Sequence, residues 1–393
     1  MKLRLISVGK LPWYRQGEPL AFFYTPRLGL PYLAAVTPLE WDVDILDGVQ
    51  ADEINFDEPA DLVGFSILTP FAEASYRAAD AYRKRRVPVV MGGVHPTLLP
   101  EEAKRHADAV VIGEGEEAWR VLLRDLAAGR LKDFYGPVSV RFDALPTPKY
   151  SLLRNVAGYA VASAIQLVRG CPHGRECRFC TVPRVFGNTY RTIPVEKAVK
   201  EILVCREASG VAGVNVAACC ALNHREYMRD FARAIEPMQV RWCGGALLHR
   251  LDDAPFLATL NKAGCEVIYT ESEAPSRRKD PRKFATYCDV VAKIHDHGMK
   301  ISYNFTLGLD SDGKEILEDT LSFIETAGLS RELCALQLFT PWPDTEAYRE
   351  LDRAGRILDR DWTHYDNTRV VFQPLGMTVE ELKALCSRPG GQA

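Results

Sequence analysis

The strongest constraint on this chain is a rhythm repeated twice along 393 residues, in which short apolar runs alternate with amphipathic stretches of helical period. Strands that run parallel in one sheet need a long crossover between them, and a helix is the usual one. In the first third of the chain the strand candidates are 3–8, 42–46, 62–66, 87–91 and 109–112, with helices at 29–35, 71–84, 100–106 and 116–128. That order predicts a doubly wound, Rossmann-like parallel α/β sheet. Turn chemistry follows in Tyr135-Gly136-Pro137 and Leu145-Pro146-Thr147-Pro148-Lys149-Tyr150, which places a boundary near residue 140. Beyond it come strands 164–168, 213–218, 240–243, 266–271, 300–307 and 334–339, interleaved with helices 195–206, 225–235, 254–263, 282–297 and 316–327. Six such units with right-handed crossovers predict a partial (β/α)6 barrel, whose chemistry belongs at the carboxyl ends of its strands. The expected units are 1–138 (Rossmann-like), 139–159 (linker), 160–350 (barrel) and 351–393. The last carries a strand at 369–373 and a helix at 379–387 that close one side of the barrel.

The strand ends of the first unit carry small or polar residues: Gly64-Phe65-Ser66, Gly92-Gly93-Val94-His95 and Gly113-Glu114-Gly115-Glu116. Ligands of such sheets sit at these ends, where glycine lets backbone approach a bound group, so Ser66, Gly93 and Glu114 are candidate cofactor contacts. The plain alternative is a set of tight turns. Behind the first barrel strand runs Arg169-Gly170-Cys171-Pro172-His173-Gly174-Arg175-Glu176-Cys177-Arg178-Phe179-Cys180, a Cx5Cx2C spacing. Three thiolates can hold a 4Fe-4S cubane and leave its fourth iron open to a small molecule. With His173 as a fourth ligand the same cysteines could form a zinc knuckle.

Composition narrows the setting. With 47% hydrophobic and 26% charged residues the chain has the chemistry of a soluble globular enzyme, and a formal charge of −3 provides no electrostatic attraction for nucleic acid or an anionic membrane. No apolar run reaches the length that crosses a bilayer, and residues 1–8 read as a strand rather than a signal peptide. A cytoplasmic protein is expected, in which eleven cysteines are ligands, catalytic groups or buried fillers before they are disulfides. Cys205, Cys265, Cys288 and Cys386 are expected to pack as small hydrophobes. His95, His173 and His224 stand alone and read as turn or surface residues.

Phe179 immediately before the last clustered cysteine, and the exit Thr181-Val182-Pro183, resemble the radical S-adenosylmethionine (SAM) enzymes, whose usual spacing is two residues shorter at Cx3Cx2C. The resemblance covers residues 160–350. It implies a 4Fe-4S cluster on Cys171, Cys177 and Cys180, SAM on the open iron beside Phe179, and an external one-electron donor such as flavodoxin or ferredoxin. It also implies SAM contacts from Glu271 in Tyr269-Thr270-Glu271-Ser272-Glu273, from Asn304 in the segment 304–308, and from Gln337 on the sixth strand. The first 135 residues resemble the cobalamin-binding domain that precedes the barrel in one branch of that superfamily. The Asp-x-His-x-x-Gly motif of other corrinoid proteins is absent, which leaves both a corrinoid site and an empty scaffold open.

The segment after the second barrel strand departs from that branch. Where relatives carry an acidic stretch, this chain reads Ala218-Cys219-Cys220-Ala221, and the third strand runs into Trp242-Cys243-Gly244-Gly245. Adjacent parallel strands lie about 4.8 Å apart, so Cys219 or Cys220 and Cys243 could meet over the cluster if the chain has already turned at residue 219. Three thiols suit a thiophilic species. The arrangement resembles the radical SAM enzymes of arsinothricin biosynthesis, which implies transfer of the 3-amino-3-carboxypropyl group of SAM to a small-molecule substrate, arsenite. Cys334 is a further, outlying thiol. The competing expectations are a cobalamin-dependent radical SAM methyltransferase and a non-catalytic zinc module.

Overall fold

The computed structural model describes residues 1–9, 25–153, 163–173, 177–218 and 220–386. The first sheet is built from β1 (Lys2–Val8), β2 (Asp42–Val49), β3 (Leu62–Ser66), β4 (Val89–Gly92), β5 (Ala109–Val111) and β6 (Phe134–Tyr135). All pairs are parallel, in the order β2-β1-β3-β4-β5-β6. The strand order reverses direction at β1 and β3, the position in such sheets where ligands bind beyond the carboxyl ends. Its crossovers are α1 (Gly29–Val36), α2 (Ala72–Lys84), the short pair α3 (Val94–Leu98) and α4 (Pro100–Lys104), and α5 (Glu116–Ala127).

The predicted strand 164–168 is two pieces. β7 (Ala164–Ile165) joins the second sheet, whereas β8 (Val168–Arg169) turns away to pair antiparallel with β9 (Arg191–Thr192). The loop carrying the clustered cysteines and α6 (Val182–Phe186) lies between β8 and β9. Then follow α7 (Val195–Ser209), β10 (Gly213–Val216), α8 (Arg225–Ile235), β11 (Arg241–Gly245), α9 (Ala254–Lys262) and β12 (Cys265–Ser272). α10 (Pro281–Asp296), β13 (Lys300–Leu307), α11 (Ile316–Thr326) and β14 (Cys334–Leu338) complete six parallel strands in the order β14-β13-β12-β11-β10-β7. Helix starts are written locally: Asp253 and Asp280 accept from the backbone N–H of Phe256 and Lys283, each just ahead of a proline in the first turn.

Alternation along β13 decides what the barrel encloses. Tyr303 and Phe305 stack on each other at 3.9 Å and meet Phe323 of α11 edge-on, so they face the helices. Ser302, Asn304 and Thr306 therefore face the lumen. Across the ladder Tyr269 pairs with Ser302 and Glu271 with Asn304, so these too point inward.

One apolar core runs through both sheets, from Leu3 and Leu5 through Tyr32, Phe142 and Tyr150 to Ile165 and Phe323. The stretch read as a linker therefore contributes buried Val140, Phe142, Leu145 and Tyr150. In the C-terminal segment, α12 (Glu346–Arg353) and α13 (Val379–Cys386) lie over the β14 side, with Met377, Leu382 and Leu385 packed on Leu307 and Leu338. The expected strand at 369–373 is a single bridge, Ile357 to Phe372, because only the short stretch at 356–359 lies beside it and Pro374 ends the pairing. His95, read as a turn or surface residue, is fully buried between Thr69, Tyr76 and Glu102. The Gly93 turn tucks it under α4, and Trp362 of the C-terminal segment donates to the same Glu102 at 3.0 Å. Burial alone would raise the Glu102 carboxyl, but hydrogen bonds from His95, Tyr76 and Trp362 outweigh it and hold it lower. Among the described residues no helix is long and apolar enough to cross a membrane.

Candidate active site

A cavity of about 320 Å³ opens at the carboxyl ends of β3, β4 and β5. Ser66, Gly93 and Glu114 all line it. Gly93 has φ of +98°, and a Cβ there would lie 2.8 Å from the Ile67 nitrogen, so only glycine fits this turn. The far wall comes from the second half of the chain: Gln166, Arg169, Val185, Phe186 and Ala217. Glu114 lines the cavity with both its oxygens engaged, Oε1 by Arg169 at 2.7 Å and Oε2 by Arg191 at 2.6 Å. Its carboxylate thus ties the first sheet to the β8–β9 ribbon. Neither arginine stood out in the sequence, although a charge ending the apolar run 161–168 was the available signal.

The cysteine loop lies across the barrel mouth. On one flank Tyr190 donates to the Cys220 carbonyl beyond β10, at 3.1 Å. On the other, Phe179 meets Phe339 just past β14 edge-on at 5.8 Å. Arg178 pairs with Glu346 and Glu350 of α12, and Arg184 pairs with Asp344, so the start of α12 and the turn before it brace the loop. Cys171, Cys177 and Cys180 are partly exposed. Such thiols are a soft donor set suited to an iron–sulfur cluster, which spreads its ligands over several irons. Among the described residues no three His, Cys, Asp or Glu side chains converge as they would around a single ion. The His173 ring lies edge-on to Tyr190.

Inside the lumen, the other three expected residues come together. The Gln337 amide donates to Glu271 Oε1 at 2.6 Å and lies 3.5 Å from the Thr306 hydroxyl, while Asn367 donates to the Gln337 carbonyl at 3.4 Å. Glu271 is enclosed by the barrel wall yet reached by solvent; burial raises its carboxyl above the ordinary value, and the bond from Gln337 partly offsets this. Asn304 faces it across the ladder, and its Oδ1 and the Ser302 hydroxyl are buried with no hydrogen-bond partner among the described residues. Tyr269, which sequence reasoning passed over, reaches across to the carbonyls of Val216 and Ala218 at 2.6 and 3.3 Å.

The expected thiol triad is not assembled among the described residues. Cys219 lies outside them. β11 continues through Gly245, so Cys243 sits mid-strand, level with Asn215, and not at the mouth. Burial pushes its thiol up to about 12, which keeps it protonated when a soft ligand needs thiolate. Cys220 stands in the loop beyond β10. Cys205 and Cys265 are buried packing residues, and Cys288 and Cys334 are half-buried.

Residues 21–123 match the B12 binding domain family and residues 165–324 the Radical SAM superfamily. The bacteriochlorophyllide d C-12(1)-methyltransferase of Chlorobaculum tepidum is 28% identical over 372 residues, covering 90% of this chain and 79% of that protein. The hopanoid C-2 methylase of Rhodopseudomonas palustris is 24% identical, covering 88% of this chain and 67% of its own length. Among solved structures, the radical SAM methyltransferase TsrM of Kitasatospora setae, with cobalamin and a [4Fe-4S] cluster bound, shares the fold. Its TM-score is 0.70 at 15% identity, over 90% of this chain and 75% of that one. The parallel sheet with its cavity, the three-cysteine loop over a six-stranded barrel, and both family matches lead to one assignment: the chain is an alkyl- or methyl-transferring enzyme of the radical SAM superfamily, in the branch that places a B12-binding domain ahead of the barrel.

Proposed function

We propose that the protein is a cobalamin-dependent methyltransferase acting on an unactivated carbon of a small-molecule acceptor. The observation that carries this reading is the shared cavity: its floor is the first sheet and its far wall is Gln166, Arg169, Val185 and Phe186, which flank the cysteine loop. A group seated on the sheet would thus face the barrel mouth. When bound, the cluster supplies an electron to SAM and the corrinoid relays the methyl group.

The chain's own residues hold and orient. Cys171, Cys177 and Cys180 are the cluster ligands, and Phe179, anchored on Phe339, sets the loop's height above β14. Glu271, Asn304 and Gln337 present acceptors and donors to the polar end of SAM from the lumen wall. Ser66 and Gly93 form the floor beneath the corrinoid, with Glu114 at its rim. The unit boundaries expected from sequence serve as the working division, with Asp344, Glu346 and Glu350 at the end of 160–350 bracing the loop and 351–393 closing the β14 side. The arsenite reading gives way to methyl transfer, because Cys243 lies deep and protonated and the curated relatives named above are methyltransferases.

The test is anaerobic purification with hydroxocobalamin, cluster reconstitution, reduction, and mass spectrometry of the SAM-derived products. Stoichiometric corrinoid is expected, with S-adenosylhomocysteine from the SAM that donates the methyl group and 5′-deoxyadenosine from the SAM that takes up the electron and the acceptor's hydrogen. Methylthioadenosine formed with arsenite would overturn the reading, as would protein that takes up no corrinoid.

A further inference from the structure

The two halves of the active site meet at one buried side chain. Arg169 is only 3% exposed, yet its guanidinium has three polar partners: Glu114 Oε1 at 2.7 Å, Glu116 Oε1 at 2.6 Å and Gln166 Oε1 at 2.8 Å. Glu114 belongs to the segment joining β5 to α5 and Glu116 opens α5, both at the cavity rim. Aromatic rings surround the same group: Phe142 at 4.4 Å, Tyr32 of α1 at 5.1 Å and Phe186 of α6 at 5.5 Å. Arg191, directly opposite in the β8–β9 ladder, takes the second oxygen of Glu114 and donates to the carbonyls of Val140 and Phe186. Two guanidinium groups and two carboxylates neutralise one another, with Arg169, Glu114 and Glu116 buried and Arg191 at the partly exposed edge. Breaking one member of such a set strands its partner's charge.

The connection from this knot to the first cysteine has no slack. Gly170 has φ of +77°, and a Cβ there would fall 2.1 Å from the Thr189 carbonyl. Cys171 donates its backbone N–H to Gly187 at 3.2 Å. The chain from guanidinium to thiol is thus pinned against 186–189, and Phe186 itself lines the cavity. A ligand pressing on the β5–α5 segment or on Phe186 moves partners of Arg169, and Arg169 can move only with Cys171.

We infer that Arg169 is a positioning residue that couples occupancy of the cavity on the first sheet to the placement of Cys171 at the barrel mouth. The inference rests on the reading of that cavity as a corrinoid site, and adds that the site reports to the cluster. Lysine cannot replace arginine, since an ammonium lacks the planar fork that engages two carboxylates at once.

The test uses the full chain with its cluster reconstituted anaerobically. The electron paramagnetic resonance spectrum of the reduced cluster is recorded before and after loading with hydroxocobalamin, and corrinoid uptake is titrated by visible absorption. In the wild type, loading should shift the spectrum. In Arg169→Lys and Arg169→Met, iron content should stay within about threefold of wild type. Because Arg169 lines the cavity, their corrinoid affinity should fall, and the spectra are compared at saturating corrinoid. The loading-induced shift should vanish, and kcat should fall at least tenfold with less change in KM for SAM. Should both arginine variants be insoluble, Glu116→Gln takes their place, with the shift reduced rather than lost. A shift of wild-type size in the variants, or a wild-type spectrum indifferent to loading, overturns the coupling while methyl transfer stands. Wild-type protein that binds no corrinoid overturns both.

Discussion

The cavity on the first sheet and the lumen of the barrel treat polar groups in opposite ways. At the cavity, the buried charges are matched in sign: Glu114 is held by Arg169 and Arg191, and Glu116 by Arg169 through Oε1. Of the atoms in these ion pairs, only Glu116 Oε2 lacks a hydrogen-bond partner among the described residues. The remaining wall is largely glycine and apolar side chains such as Leu33, Val90 and Trp119. In the lumen, polar groups are gathered without full pairing, with Glu271 raised by burial and Asn304 Oδ1 and the Ser302 hydroxyl lacking partners among the described residues. Burying an unpaired polar atom costs about 1–3 kcal/mol. A wall that keeps two uncharged ones beside a carboxyl is built to receive a polar ligand, whereas a wall whose charges cancel is suited to a large body held by shape. The contrast matches a corrinoid on the sheet and SAM in the barrel.

Cutting the two regions apart is the harshest test of the contrast. Cys177→Ala should abolish the brown absorbance and lose iron and sulfide entirely, while corrinoid uptake persists because the cavity wall does not contain that loop residue. Loss of corrinoid together with iron would mean that the regions are not separable.

Next in size is a pH effect where the regions touch. Tyr32 of α1 donates to Glu201 of α7 at 3.5 Å. Burial lifts the Glu201 carboxyl from 4.5 to about 7, against the pull of Lys197 and Tyr32. The folded protein therefore holds this proton more tightly than the unfolded chain. Its stabilising contribution is complete below 4.5 and is lost as pH rises through 7, a change on the order of 3 kcal/mol. Thermal denaturation at about pH 5 and pH 8 should show a smaller loss of Tm in Glu201→Gln than in wild type. Parallel curves for the two proteins would show that this joint does not titrate.

Gly93→Val acts on the sheet side alone. A β-branched residue at φ of +98° collides with the Ile67 backbone and intrudes on the floor, so corrinoid affinity should fall at least about tenfold, or 1.4 kcal/mol, with iron content unchanged. Unchanged affinity would move the corrinoid elsewhere. The smallest effect is expected from Glu271→Gln. It keeps the shape of the contact with Gln337 but removes the charge, so SAM affinity measured by equilibrium dialysis should drop about threefold. A drop in corrinoid affinity instead would reverse the assignment of the two walls.

Much of this arrangement could be read from residue order. Strand β3 and helix α8 fall at the residues expected, β13 likewise, and both sheets have the parallel character that alternating apolar runs demanded. Failures cluster where the chain turns out of a sheet. Residues 164–168 look like one strand because Ala164, Ile165, Leu167 and Val168 are all apolar, and only pairing of Val168–Arg169 with β9 reveals the break. Cys243 seemed to end its strand because Gly244 and Gly245 are poor strand formers, yet pairing with Ile268 and Tyr269 carries β11 through them. His95 looked solvated because a histidine beside glycines and proline reads as a turn, and its three polar partners come from two other stretches, 69–76 and α4.

Sequence alone determined the two-part α/β architecture, the three-cysteine loop and the small residues at the strand ends, since each depends on local period, spacing or steric size. Tertiary structure alone decided which thiols could meet, that Glu271, Asn304 and Gln337 share one lumen, and that Arg169 joins the cavity to the loop. Those relations are set by register and by burial among residues far apart in the chain, and no local pattern encodes the distance between them.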